Sequence, residues 1–299
     1  MLRTIPAVRA PALARRYTPD IQEVMNTLRF TKMHGIGNDF IIVDGFSQYV
    51  NDPNALAARL CDRHFGIGAD GLILVLPSPV AHARMRILNS DGSEAEMCGN
   101  GIRCLGKYLY DSGLCRESPM RVETLAGVLA LDIEVRDGQA QRITVDMGMP
   151  RFAPEDIPVA AASNALTLEV EGRALRFFCV GMGNPHAVTF DLYPDDATFR
   201  RLGPLLERHP AFPRRANIEF CRVSDGGADV KVWERGDGPT LACGTGACAV
   251  LAAGASQGLL PRRAQIRLPG GALDIRWGDD GHLFMAGPAE TVFDGEIMV

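Results

Sequence analysis

The chain is poor in lysine, in aromatic residues and in paired cysteine motifs, and it has no basic excess. Lysine occurs only at Lys32, Lys107 and Lys231, none in a glycine-rich phosphate-binding context, which disfavours a pyridoxal Schiff base. Eight cysteines form no CxxC pair, and so long a chain does not need a disulfide framework or a zinc ribbon for stability. Arg and Lys number 31 against 36 Asp and Glu, a net charge of −5, so phosphate neutralisation is lacking and nucleic acid is not an expected partner. Residues 238–260 carry no charge, yet Gly244, Gly246, Gly254 and Gly258 interrupt them, and the apolar stretch 247–253 is far too short to span a bilayer. A core helix is expected there, and no membrane association.

What is present is an ordinary globular composition, 46% hydrophobic and 22% charged, over 299 residues, enough for two domains. Arg3, Arg9, Arg15 and Arg16 precede the first acid, Asp20, and superficially resemble a transit peptide. We read residues 1–25 instead as a disordered extension, because Met25 opens the strand-like MNTLRF. The chain also repeats itself. GIGNDF (35–40) is echoed by GMGNPH (181–186), and CGNGIRC (98–104) by CGTGACA (243–249), with offsets of 146 and 145 residues. Two motifs in the same order at the same interval imply two similar halves.

Strands are expected over 40–44, 72–76, 83–88, 128–135 and 142–147 in the first half, and over 175–180, 186–191 and 228–234 in the second. Helices are expected after Asp52-Pro53, from about Gly101 to Gly113, near 195–208, and after Cys243. The last is apolar all round and belongs in a core. The fold class is α+β: two structurally similar halves, each a curved mixed β-sheet or barrel around a central helix, related by a pseudo-twofold axis. The domains are read as 26–146 joined by 278–299, and 147–277.

Cys98 and Cys243 each precede a helix start, where unpaired N–H groups and the helix dipole favour negative charge. A thiol there should ionise readily, and the adjacent glycines would let a carboxylate approach the amides. Either motif alone reads as a capped core cysteine, the reading kept for Cys61, Cys115, Cys179 and Cys221. Two equivalent sites facing one cleft would flank a substrate α-carbon with a base and an acid, the arrangement that inverts a stereocentre.

HGIGNDF, NSDGSEAEMCGNGIRC, GMGNPHAV, RRANIEF and ERGDGPTLACGTGACA, in this order from about Leu28 onward, resemble the diaminopimelate epimerase family. The resemblance implies a cofactor-independent isomerase that interconverts LL- and meso-diaminopimelate in lysine biosynthesis. It implies Cys98 and Cys243 as catalytic thiols with His186 and Glu234 as an auxiliary polar pair. Substrate carboxylate would meet the amides of Gly99, Asn100, Gly244 and Thr245, and the rest of the substrate would meet Asn38, Asn89, Asn184, Asn217, Glu234 and Arg235. It also implies a cytoplasmic homodimer, with Phe284 at a position where some members carry an interface aromatic. Gly71 departs from members that place a contacting glutamine there.

Blander readings stand beside these. The asparagines next to glycine could be turn residues, His186 a satisfied core histidine, and Glu234–Arg235 a surface pair. Asp91, Glu94 and Glu96 read as a loop, so no metal site is expected. Competing functions are another cofactor-independent racemase, for example of proline, or a thiol redox protein working through Cys98 and Cys243.

Overall fold

The computed structural model describes residues 27–299, so the extension read over 1–25 lies outside the described residues. The first half runs β1 (Thr27–Gly35), β2 (Asn38–Asp44), α1 (Pro53–Leu60), β3 (Gly71–Leu76), β4 (Ala83–Asn89), β5 (Glu94–Ala95), α2 (Gly99–Asp111), β6 (Met120–Thr124), β7 (Gly127–Arg136) and β8 (Gln139–Asp146). The second runs β9 (Ala165–Val170), β10 (Arg173–Gly181), β11 (Pro185–Thr189), α3 (Asp196–Glu207), β12 (Asn217–Ser224), β13 (Gly227–Glu234), β14 (Gly238–Pro239), α4 (Gly244–Ser256), β15 (Arg263–Leu268), β16 (Gly271–Trp277) and β17 (Leu283–Gly287). A last strand, β18 (Glu290–Met298), follows.

The repeat seen in the sequence extends to every ladder. Pairings β1–β2, β2–β3, β3–β4, β4–β6, β6–β7 and β7–β8 are antiparallel, parallel, antiparallel, parallel, antiparallel and antiparallel. Pairings β10–β11, β11–β12, β12–β13, β13–β15, β15–β16 and β16–β17 follow the same series. The corresponding strands β8 and β17 pair with each other, Val145 opposite Met285, so one continuous sheet wraps both halves about a pseudo-twofold axis. β18 flanks β1 as β9 flanks β10, which returns the end of the chain to the first half.

Local signals explain the helices. Asp52 accepts from Ala55 N and Pro53 opens α1; Asp195 accepts from Thr198 N at the start of α3. α4 is buried from Gly244 to Gly254 apart from Thr245, as its all-apolar sequence requires. α2 is buried almost as completely, although it carries Arg103 and Lys107. Lys107 keeps its ammonium satisfied on Ala140 O at 2.7 Å and Asp111 at 2.8 Å. Strands β6, β9, β12, β15 and β16 are additional to those expected from the sequence, although β6 (MRVET), β9 (ALTLEV) and β15 (RAQIRL) alternate cleanly. Among the described residues no helix is long and apolar enough to cross a membrane.

Candidate active site

α2 begins two residues earlier than expected, at Gly99, and α4 begins at Gly244 directly after Cys243 as expected, with the cysteines themselves as N-caps in extended conformation. Each sulfur takes the place usually held by a Ser or Asp oxygen: Cys98 Sγ accepts from Gly101 N at 3.5 Å, and Cys243 Sγ from Gly246 N at 3.4 Å. The two helix starts abut. A Cβ built on Gly99 would lie 3.7 Å from Gly244 Cα, and one built on Gly244 would lie 2.9 Å from Met285 Sδ. An added Cβ at either position would stand in van der Waals contact with the other helix start and press first on the Met285 side chain.

The side chains around the thiols are related in position and different in chemistry. On the first side, Asn38 donates through Nδ2 to Asp70 at 2.6 Å, which leaves its Oδ1 to accept from Asn100 Nδ2 at 3.1 Å and from the Cys98 thiol at 3.6 Å. Asn100 reaches across to the carbonyl of Ala242, the residue before Cys243, at 3.2 Å. On the second side, Asn184 donates to Thr245 Oγ1 at 3.4 Å, and that hydroxyl lies 3.6 Å from Cys243 Sγ. His186 is fully buried, with Nε2 2.9 Å from Asn184 Oδ1 and Nδ1 2.6 Å from Glu219 Oε1. Asn217 lies beside the same ring and accepts from the Arg235 backbone N–H at 2.8 Å.

Glu234, at the end of β13, accepts from Thr240 Oγ1 at 2.5 Å. Burial pushes its carboxyl up from the ordinary value. The Arg235 guanidinium contacts the Arg214 carbonyl at an exposed position, and Asn89 donates to Ser93 Oγ, also exposed. These two lie at the rim, whereas Asn38, Asn100, Asn184, His186, Asn217 and Glu234 cluster about the helix starts. Glu234 is not the partner of His186 in a hydrogen bond: Glu219 is.

The thiols do not show the easy ionisation expected of helix N-caps. Burial pushes Cys98 up from its usual value, against the pull of the Gly101 and Asn100 N–H groups. Cys243 is pushed up further, by burial and then by the Glu234 and Glu219 charges. Desolvation outweighs the dipole in a dry site.

Three residues escaped sequence reasoning. Glu219 is fully buried in β12, and its other oxygen, Oε2, has no hydrogen-bond partner among the described residues. Its only signal was an acid inside the motif RRANIEF. Arg103, fully buried, donates to Gly99 O at 3.1 Å and Pro288 O at 3.2 Å, and its Nη2 has no partner. Asp70, which orients Asn38, sits in the turn before β3. At Gly71 a Cβ would fall 2.7 Å from Leu88 O, so a longer side chain has no room without a backbone shift. Asp91 accepts from Ser93 and Glu94 pairs with Arg86, and among the described residues no group of three or more His, Cys, Asp or Glu is placed to hold a metal. Phe284 is half-buried on β17, with the Arg276 guanidinium 4.0 Å from its ring centre.

Comparison with known proteins gives a consistent result. The chain is 50% identical over 275 residues to a diaminopimelate epimerase of Acetivibrio thermocellus, covering 90% of this chain and 98% of that one. It is 49% identical over 275 residues to a diaminopimelate epimerase of Methanococcus maripaludis, with 90% and 99% covered. Among solved structures, a hydroxyproline epimerase from Agrobacterium vitis superposes with a TM-score of 0.68 at 18% identity, covering 91% of this chain and 93% of that one. A methylitaconate-delta-isomerase superposes at 0.64 and 15%, with 92% and 96% covered, and both likenesses speak to the fold alone. The family model for diaminopimelate epimerase matches residues 30–153 and 178–292, and the chain belongs to that family.

Proposed function

We propose that this chain interconverts LL- and meso-diaminopimelate by α-proton transfer between Cys98 and Cys243, without a cofactor, and so serves lysine biosynthesis. The observation that carries the reading is the pair of cysteine-capped helix starts in contact at Gly99 and Gly244. Relatives at about half identity over nearly the whole chain bear the name of that activity.

In this reading the substrate α-carboxylate lies against the free N–H groups of Gly99, Asn100, Gly244 and Thr245, which spread the charge of the carbanion. One sulfur, as thiolate, takes the α-proton; the opposite thiol gives its proton to the other face. The roles exchange in the reverse direction. Burial that holds both thiols up also brings their proton affinity closer to that of a carbon acid, which eases the transfer. Glu234, Arg235, Asn38, Asn89, Asn184 and Asn217 would receive the remaining ammonium and carboxylate groups of a diamino diacid, Arg235 by a forked pair. His186 and Glu234 would act beside the sulfurs. A homodimer, a cytoplasmic location and a domain division at 146/147, with β18 returning to the first half, belong to the same proposal.

The test is hydrogen exchange in deuterated buffer with dithiothreitol, using purified full chain without pyridoxal or added metal. LL-diaminopimelate should take up α-deuterium and yield the meso form, while L-proline should not. Exchange of proline alone would move the chain to another racemase activity, and exchange of neither would overturn the reading.

A further inference from the structure

We propose that Glu219 is a positioning residue which, through His186 and Asn184, aims the Thr245 hydroxyl at the Cys243 sulfur; this rests on the reading of Cys243 as a reacting thiol. The contacts form one unbroken series: Glu219 Oε1 to His186 Nδ1 at 2.6 Å, His186 Nε2 to Asn184 Oδ1 at 2.9 Å, Asn184 Nδ2 to Thr245 Oγ1 at 3.4 Å, and Thr245 Oγ1 to Cys243 Sγ at 3.6 Å.

Each group constrains the next. If Glu219 holds the proton shared with Nδ1, the ring's own hydrogen must sit on Nε2; if the imidazole holds it, Nε2 is protonated as well. Either way Nε2 donates to Asn184, whose amide then donates to Thr245. Having accepted that bond, the hydroxyl is free to donate to sulfur. The arrangement reverses only if Glu219 is ionised beside a neutral ring, a state that buries a carboxylate whose Oε2 has no hydrogen-bond partner among the described residues. Burial also pushes the Glu219 carboxyl up from its usual range.

The first half shows that the scaffold does not require this pair. Phe40 lies opposite Gly71 on the parallel β2–β3 ladder as His186 lies opposite Asn217 on β11–β12. A Cβ on Gly101 would meet Ile73 Cδ1 at 3.0 Å, and one on Gly246 would meet Glu219 Oε1 at 3.0 Å. Phe40 and Ile73 therefore fill the places of His186 and Glu219 with apolar groups. A buried ionisable pair where a close-packed apolar pair closes the same space points to a role outside folding.

Full-length protein labelled with 15N-histidine tests this, the His186 signals being those lost in H186F. The wild-type ring should carry a proton on Nε2 across neutral pH. H186F/E219I, which copies the first half, should melt no lower than wild type, whereas E219I alone should melt lower, lose the fixed ring state, and lose about a hundredfold in kcat on LL-diaminopimelate. E219Q, whose amide donates to Nδ1, should keep Nε2 protonated and recover most of the turnover. A wild-type ring with bare Nε2, an E219I chain with full turnover, or one that loses turnover with unchanged His186 signals would overturn the assignment. If wild type exchanged no diaminopimelate, the proposed function would fail while the ring state still judged the hydrogen-bond series.

Discussion

The two halves share their ladders and their cysteine-capped helices, yet they bury different ionisable groups. The first half keeps cations on its central helix, Arg103 and Lys107, and apolar residues on its strands, Phe40 and Ile73. The second reverses this: at the same offset its helix carries Cys248 and Ala252, and its strands carry His186 and Glu219. Asn89 in the first half corresponds to Glu234 in the second by the 145-residue interval. The scaffold repeats because two equivalent helix starts must meet across one axis. The polar groups do not, because a diamino diacid with one reacting centre is not symmetric and needs different partners on its two sides.

The comparison can be broken in several ways. Glu234→Asn gives the second half the residue of the first; kcat/KM in a steady-state epimerisation assay should fall by about 10²- to 10³-fold, and near-wild-type turnover would mean that the acidic side is dispensable. Leu105 in α2 and Leu251 in α4 are both fully buried, and each truncation to Ala should cost about 2–5 kcal/mol in denaturant unfolding. Strongly unequal costs would mean that the helices are not equivalent supports.

The different surroundings should also separate the thiols. Burial and then Glu234 push both thiols up; Arg103 pulls Cys98 down by less than Glu234 raises it, and Glu219 adds to the push on Cys243 alone. Cys98 is also the less enclosed of the two. Iodoacetamide followed by peptide mapping should therefore modify Cys98 several times faster, its rate climbing with pH from a lower onset than that of Cys243, and Arg103→Met should narrow the gap. Faster labelling of Cys243 would reverse the electrostatic comparison.

The smallest effect is confined to the first half, where Asp39 meets Lys32 at 2.6 Å and Arg63 at 2.8 Å; the position aligned with it is Pro185. Burial pushes Asp39 up, but the hydrogen bonds from Arg63 and Lys32 prevail and hold its carboxyl at about 2. Because the folded value lies below the unfolded value of 3.8, this stabilisation is present above that pH and is lost as pH falls toward about 2. Asp39→Asn should cost at most about 1 kcal/mol at neutral pH after solvent screening, and the difference from wild type should vanish in acid unfolding over that window. A difference that persisted in acid would assign the cost to packing.

The sequence made the repeat, the helices and the two cysteines legible because each has a local signature: a spaced motif, a capping residue, an apolar run. The order of the strands was not legible, since a parallel ladder such as β11–β12 joins residues separated by a whole helix. For the same reason Glu219 stayed hidden beside His186, and Asp70 behind Asn38. The sign of the thiol shifts was also missed, because a helix start is visible in sequence and the dryness around it is not.

The central claim is that Cys98 and Cys243 are the acid and base of one reaction, one from each half. The most direct measurement is epimerisation of LL-diaminopimelate by Cys98→Ala and Cys243→Ala, each checked for an unchanged fold by circular dichroism and melting. We expect neither single variant to produce the meso form at a measurable rate, since each lacks one of the two proton carriers; sustained turnover by either folded variant would contradict the claim.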